Sequence, residues 1–222
     1  MITGNGLLAR SFINFKNQED KIIFASGVSN SLEKNFLEYK REENLLLNVI
    51  KNNKNKKIIY FSTTSIFSIK STYTNHKIKI EDIIKNNAEK YCIYRLPQII
   101  GKGGNKANLI NFLVKSIRDT RNIFIYPESL RSLLDVEDLV SICQKTCDIK
   151  DKNILNIAGI EFMKIEQIIN LISEKIDIKP ILSFHKDRQE YFNENSVEID
   201  LAIKELNISS FGYTKKVIQK YL

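Results

Sequence analysis

A chain of 222 residues, 43% hydrophobic and 27% charged, with only eight glycines and three prolines, is a folded globular protein of one domain, or one domain with a small lobe, and not a disordered one. Its net charge of +8 comes from lysines scattered among Asn and Ile with no aromatic-interleaved basic stripe, which argues against nucleic-acid binding and for a solvated basic surface or an anionic small substrate. No apolar run reaches the length of a membrane span, no signal peptide precedes the first glycines, and three cysteines beside two histidines fit neither a disulfide framework nor a zinc site, as expected in a reducing cytoplasm.

In chain order, a very short apolar entry at residues 1–3 runs into Gly4, and residues 7–15 read as a helix. Residues 21–25 form an Ile/Phe strand ending at Ser26-Gly27. Helical spacing of Phe36, Leu37, Leu45, Leu46, Val49 and Ile50 predicts a helix within 32–52. A strand at 57–61 ends in the hydroxyl cluster Ser62-Thr63-Thr64-Ser65. Ile78, Ile80, Ile83 and Ile84 mark a helix over 72–86, and 91–96 is a strand. A glycine-rich stretch, Gly101-Lys102-Gly103-Gly104-Asn105, reads as a junction or mobile loop. Beyond it come a helix (109–118), a strand (123–126) and a helix (136–147) opened by Asp135, Glu137 and Asp138, as a helix N-terminus prefers. A strand (153–157), a helix (164–176), a strand (181–184) and a last helix (199–206) follow. Cys143 and Cys147 fall on the apolar side of their helix and read as packing thiols. Strands alternating with helices predict an α/β fold with a mainly parallel sheet.

Two short patterns carry chemistry. Gly4-Asn5-Gly6-Leu7-Leu8-Ala9 fits G-x-G-x-x-A between a strand and a helix; there glycine permits a tight turn and the close approach of a pyrophosphate to free N–H groups at the helix start. Tyr73 and Lys77 stand four residues apart, one helical turn, and share a face. A nearby ammonium favours phenolate and is expected to lower the phenol's pKa, making a tyrosine that gives or takes a proton near neutral pH.

Together these segments resemble the extended short-chain dehydrogenase/reductase family, the NAD-dependent sugar-nucleotide epimerases, dehydratases and ketoreductases. After the glycine turn, Ser62-Thr63-Thr64-Ser65-Ile66-Phe67 looks like the strand end bearing the family's catalytic Ser/Thr. Arg95-Leu96-Pro97-Gln98-Ile99-Ile100-Gly101, Arg131-Ser132-Leu133-Leu134-Asp135-Val136-Glu137-Asp138 and Asn156-Ile157-Ala158-Gly159 look like three later family segments, in order. The resemblance implies a Rossmann-like doubly wound parallel sheet. It implies Tyr73 as general acid/base, Lys77 as the residue that lowers its pKa and holds the nicotinamide ribose, and Thr63 as hydrogen-bond donor to the reacting oxygen, with Thr64 its near alternative against the substrate. NAD or NADP would lie on Gly4, Asn5, Gly6, Leu7, Leu8, Ser26, Gly27, Lys77 and Pro97. Arg131 and Arg188 would contact the nucleotide diphosphate, unless Arg131 pairs with Asp135 or Glu128. His76 reads as a helix-surface residue. A homodimer through the helices flanking the site is the family habit.

The departures from the family are specific. The strand at 21–25 and its helix look like the family's fourth strand and following helix, so the second and third strands are missing, and with them the acidic residue that holds the adenosine ribose. The dehydratases' Asp-Glu pair is replaced by Thr64-Ser65, which disfavours elimination of water. The expected organisation is a reduced cofactor-binding portion with the catalytic residues over 1–104, and the remaining sheet elements with a small substrate lobe over 105–222. The function implied is an NAD(P)-dependent oxidoreductase on a nucleotide-linked sugar, most simply a 4-ketoreductase. A sugar-nucleotide epimerase and a non-catalytic nucleotide-binding member are the alternatives.

Overall fold

The computed structural model describes residues 1–104, 108–186 and 194–222. The first half of the chain builds β1 (Ile2–Thr3), α1 (Leu7–Ser11), a 3-10 turn (Ile13–Asn17), β2 (Lys21–Phe24), α2 (Phe36–Asn52), β3 (Lys57–Thr63), a second 3-10 turn (Thr64–Phe67), α3 (Thr72–Asn87), β4 (Tyr91–Leu96) and β5 (Gln98–Ile100). The second half builds α4 (Leu109–Arg118), β6 (Asn122–Ile125), β7 (Leu130–Asp135), α5 (Val136–Thr146), β8 (Lys152–Asn156), β9 (Phe162–Lys164), α6 (Ile165–Ile176), β10 (Ile181–Phe184), α7 (Val197–Glu205) and α8 (Tyr213–Tyr221).

The main sheet has five strands in the order β1-β2-β3-β4-β8, and every neighbouring pair is parallel. Side chains alternate across it. Ile22, Phe24, Ile58, Tyr60, Tyr91 and Ile93 face α2 and α3, meeting Leu46, Val49, Ile50, Ile80 and Ile84. Ile23, Ile59, Phe61, Cys92 and Tyr94 face the other way, onto Phe12, Phe15, Leu139, Ile142 and Cys143. Helices therefore cover both faces, and the buried strands read as continuous apolar runs, as parallel sheets require. This is the doubly wound, Rossmann-like α/β fold in reduced form. The usual order places two strands outside the first; here, among the described residues, β1 is the sheet's edge. Two smaller sheets, β5-β7-β9 and β10-β6, complete the strand pairing.

Several elements depart from the sequence expectation, each for a local reason. The helix expected over 7–15 is α-helical only to Ser11 and then tightens into the 3-10 turn that inserts Phe15 into the core. The helix α2 starts at Phe36, where Asn35 accepts a hydrogen bond from the Leu37 N–H as N-cap. Phe36 and Leu37 stay exposed, and Tyr39 takes the buried position instead. The short strands β5, β7 and β9 and the helix α8 lie outside the expected elements. Cys92, Cys143 and Cys147 are free and buried. Burial pushes the Cys92 thiol up to about 12 and that of Cys147 up to about 11, so they pack rather than react. Among the described residues, no helix is long and apolar enough to cross a membrane.

Candidate active site

The carboxyl ends of the parallel strands lie along one edge of the sheet, and several of the residues singled out above lie there. The register pairs Thr3 with Phe24 and Thr63 with Leu96. The glycine turn after β1, the turn at residues 25–28 after β2, Thr63 at the end of β3 and Pro97 just past β4 therefore follow one another along that edge. The chain changes faces between β1 and β2, since α1 packs on one side and α2 on the other. Ligands of doubly wound sheets bind outside the carboxyl ends of the strands.

Gly4 has φ +123°, and a Cβ there would collide with the Ala25 carbonyl, so only glycine makes this turn. Gly6 caps α1 without a side chain. A Cβ built on it meets nothing within 4 Å, so the space above Gly6, beside the first N–H groups of α1, is open. That opening suits the pyrophosphate of a dinucleotide, and the residues present fit such a group. Arg10 braces the turn from outside, donating to the Asn5 carbonyl (2.9 Å) and the Gly103 carbonyl (3.0 Å). Leu7 and Leu8 are half-buried behind it. Ser26, half-buried, accepts from Arg41 Nη1 through both its carbonyl and its hydroxyl at 3.2 Å.

Tyr73 and Lys77 are carried on the first turns of α3. Ser71 caps this helix in a reciprocal box: its hydroxyl accepts from the Thr74 N–H (3.2 Å), while its own N–H donates to Thr74 Oγ1 (2.9 Å). Lys77 is 3% exposed, and its ammonium stands 5.8 Å from the centre of the Tyr73 ring. It donates to Tyr60 OH (2.8 Å) and Glu42 Oε1 (3.2 Å). Gly27 lies against it: a Cβ there would come 2.9 Å from Lys77 Nζ and 2.7 Å from Glu42 Oε1. The structure thus brings Tyr73, Lys77 and Gly27 together.

The proton affinity of Tyr73 runs opposite to the sequence expectation. Burial raises it, Lys77 lowers it only in part, and Glu42 raises it again, so the phenol titrates above its ordinary value. The main physical reason is desolvation, which disfavours the phenolate, and the Glu42 carboxylate beside Lys77 adds to it. His76, expected on the surface, is 6% exposed and meets Glu42 Oε2 at 3.0 Å.

Thr63 Oγ1 accepts from the Ser65 N–H (3.2 Å), and Thr64 Oγ1 donates to the Leu96 carbonyl (3.2 Å). Both stay half-buried at the strand ends, as does Pro97. Arg131 lies on β7, half-buried, with Nη1 donating to the Leu130 carbonyl (2.6 Å). That strand pairs with β5, which continues directly from Pro97. Asp135, offered above as a partner for Arg131, instead receives Lys220 Nζ (2.7 Å) and Tyr221 OH (2.7 Å). Arg188 lies outside the described residues.

Sequence reasoning missed two buried charge clusters. One is Glu42 with Tyr60, His76 and Lys77. The other joins Glu81 to Arg95 through Nε and Nη2 (3.0 and 2.6 Å) and to Ser62 Oγ (2.6 Å), with the Arg95 guanidinium 5.0 Å from the Phe67 ring. The signal was present: Glu42 stands at helical spacing between the buried Tyr39 and Leu46, and a charge on an apolar stripe asks for a partner.

The fold and this edge define a doubly wound α/β protein with a dinucleotide-type glycine turn and a Thr, Tyr and Lys set beside it. Residues 25–158 match the family model described as the NAD dependent epimerase/dehydratase family, and the chain belongs to that family. The glycine turn lies just before the matched span. No curated protein sequence matches the chain. Among solved structures, UDP-N-acetylglucosamine 4-epimerase from Methanobrevibacter ruminantium M1, in complex with UDP-N-acetylmuramic acid, is similar with a TM-score of 0.68 at 14% identity, over 95% of this chain and 77% of that one. The dTDP-glucose 4,6-dehydratase of Bacillus anthracis str. Ames, in complex with NAD, has a TM-score of 0.70 at 15% identity, over 98% and 75%. UDP-glucuronic acid 4-epimerase from Bacillus cereus, with UDP-glucuronic acid and NAD, has 0.65 at 18%, over 96% and 79%. At these identities the likeness is one of fold.

Proposed function

We propose that the protein is an NAD(P)-dependent oxidoreductase acting on a nucleotide-linked sugar, most simply a 4-ketoreductase with Tyr73 as general acid. The observation that carries this reading is the half-buried Tyr73 at the strand edge with the buried Lys77 beside it, its ammonium 5.8 Å from the centre of the phenol ring. As hydride adds to a ketone carbon its oxygen gains charge, and the Tyr73 hydroxyl is the group that would give it a proton, with the nearby Lys77 ammonium offsetting the phenolate left behind.

The cofactor would lie over Gly4, Asn5 and Gly6, with Leu7 and Leu8 N–H groups toward its pyrophosphate, Ser26 and Gly27 along its length, and Lys77 and Pro97 toward its nicotinamide end. The bound nicotinamide supplies the hydride. Lys77 spends two of its three N–H bonds on Tyr60 and Glu42, leaving one for a ribose hydroxyl. Thr63, at the end of β3, would donate a hydrogen bond to the sugar oxygen while Tyr73 gives it a proton. Thr64 and Ser65 offer hydroxyls where elimination of water needs an acid and a base. Arg131 and Arg188 would pair with the diphosphate, the planar guanidinium suiting bidentate contact, and residues 105–222 would supply the substrate lobe. A dimer of this chain is part of the same proposal.

The test is consumption of NADH or NADPH, followed by the absorbance of the reduced nicotinamide, across a panel of nucleotide-linked 4-keto sugars. Steady consumption with a keto sugar supports the reductase. Interconversion of 4-epimers with no net cofactor use supports the epimerase, a reading favoured by the 4-epimerases among the similar structures. Failure to bind either cofactor would overturn both and leave a non-catalytic nucleotide-binding protein.

A further inference from the structure

Glu42 comes from α2, whose residues were assigned no part in the site, yet it forms the floor beneath Lys77. It is fully buried, at 0% exposure. Both of its oxygens are doubly engaged. Oε1 accepts from Tyr60 OH (2.7 Å) and Lys77 Nζ (3.2 Å); Oε2 accepts from the Val28 N–H (2.7 Å) and meets His76 Nε2 (3.0 Å). Such saturation is what a buried carboxylate requires. The Val28 bond gives this carboxylate a second task. It ties the turn after β2, where Gly27 is squeezed against both Glu42 and Lys77, to the helix that carries Tyr73.

We propose that Glu42 is a positioning residue for the Tyr73 and Lys77 pair: it fixes the lysine ammonium under the turn at residues 26–28 and lets that charge reach Tyr73 only partly neutralised. The inference rests on the reading of Tyr73 and Lys77 as the working pair. Of the other titratable groups, Tyr60 from β3 and Tyr39 from α2 lie next to the pair, His76 from α3 meets Glu42, and Glu43 from α2 and Glu81 from α3 stand one contact further off, beside His76 and Tyr60. Glu81 is committed to Arg95 and Ser62, and Glu43 to Lys79 (2.6 Å) and Lys40 (3.4 Å). Glu42 is the carboxylate in hydrogen-bond contact with Lys77. Removing its charge while keeping its shape should therefore expose Tyr73 to the undiluted ammonium.

The experiment is an alkaline titration of tyrosinate absorbance on the cofactor-free protein and on Glu42→Gln, each repeated with Tyr73→Phe so that the difference isolates Tyr73. The Tyr73 inflection is expected to move to lower pH by about one pH unit in Glu42→Gln, the size of one nearby charge removed. An inflection that stays put or moves up overturns the proposal. A stability cycle with Lys77→Met keeps the test decisive if Glu42→Gln alone folds poorly. Glu42→Gln/Lys77→Met is expected to be at least as stable as Lys77→Met, because a lone buried charge costs more than none. Purely additive losses would count against the pairing. The titration needs neither cofactor nor substrate, so a failed oxidoreductase reading would show as absent NADH and NADPH binding with the Tyr73 shift intact.

Discussion

Gly4 and Gly6 stand at neighbouring points of one turn and answer to different constraints. Gly4 is held at φ +123° against the Ala25 carbonyl, whereas Gly6 has an ordinary φ of −75° and open space where a side chain would go. Gly4→Ala should therefore cost about 1–3 kcal/mol of stability through backbone strain and steric overlap, seen as a lower denaturant midpoint. Gly6→Ala should melt like the unmodified protein but lose NADH affinity by about tenfold or more, as its methyl enters the cofactor's space; calorimetric titration showing unchanged affinity would contradict the cradle. Tyr73→Phe separates chemistry from binding: turnover should fall by about 10²–10⁴ while the cofactor dissociation constant stays nearly constant. Glu42 adds a pH signature. Burial opposes its ionisation, but Lys77, His76, the Val28 N–H and Tyr60 outweigh burial and hold its carboxyl well below the usual range. A depressed folded pKa means its contribution is fully present above the unfolded carboxyl's pKa, about 4.3. The contribution is then lost as pH falls from there toward the folded value. Acid unfolding followed by circular dichroism should be steep in that window and shallower in Glu42→Gln.

Helix α3 shows how an element positions chemistry. Its capping box satisfies the first N–H groups, and Tyr73 rides in that capped turn while Lys77 follows one turn later. Ser71→Ala should cost about 1 kcal/mol in urea unfolding and reduce turnover more than it weakens nucleotide binding, because the frayed turn is the one holding the phenol. Much of this element could be read in advance: the isoleucines gave the helix, and the four-residue spacing gave the shared face. The strands β2, β3 and β4 were equally legible, since their Ile, Phe and Tyr runs are buried on both sides. Strand β7 was not, because Leu-Arg-Ser-Leu-Leu-Asp has neither strict alternation nor a β-branched run. Nor was the pairing of Glu42 with Lys77, residues 35 apart in sequence: such a contact depends on how α2 and α3 pack, which periodicity does not encode. Phe36 and Leu37 misled for the converse reason, being apolar residues that tertiary packing leaves outside.

At the scale of the whole molecule, the sheet keeps the strands whose ends carry Gly27, Thr63 and Pro97 and lacks, among the described residues, strands beyond β1. The acidic residue that usually grips the adenosine ribose belongs to one of those strands. NADH and NADPH are therefore expected to bind with dissociation constants within about tenfold of each other, a difference of about 1.4 kcal/mol or less; fluorescence titration showing a much larger preference would point to an adenosine clamp built elsewhere. The same truncation bears on colloidal behaviour. An exposed sheet margin is a template on which other chains can zip and precipitate. On the β1 side the margin is only Ile2 and Thr3, which offers a neighbouring chain few backbone groups to pair with.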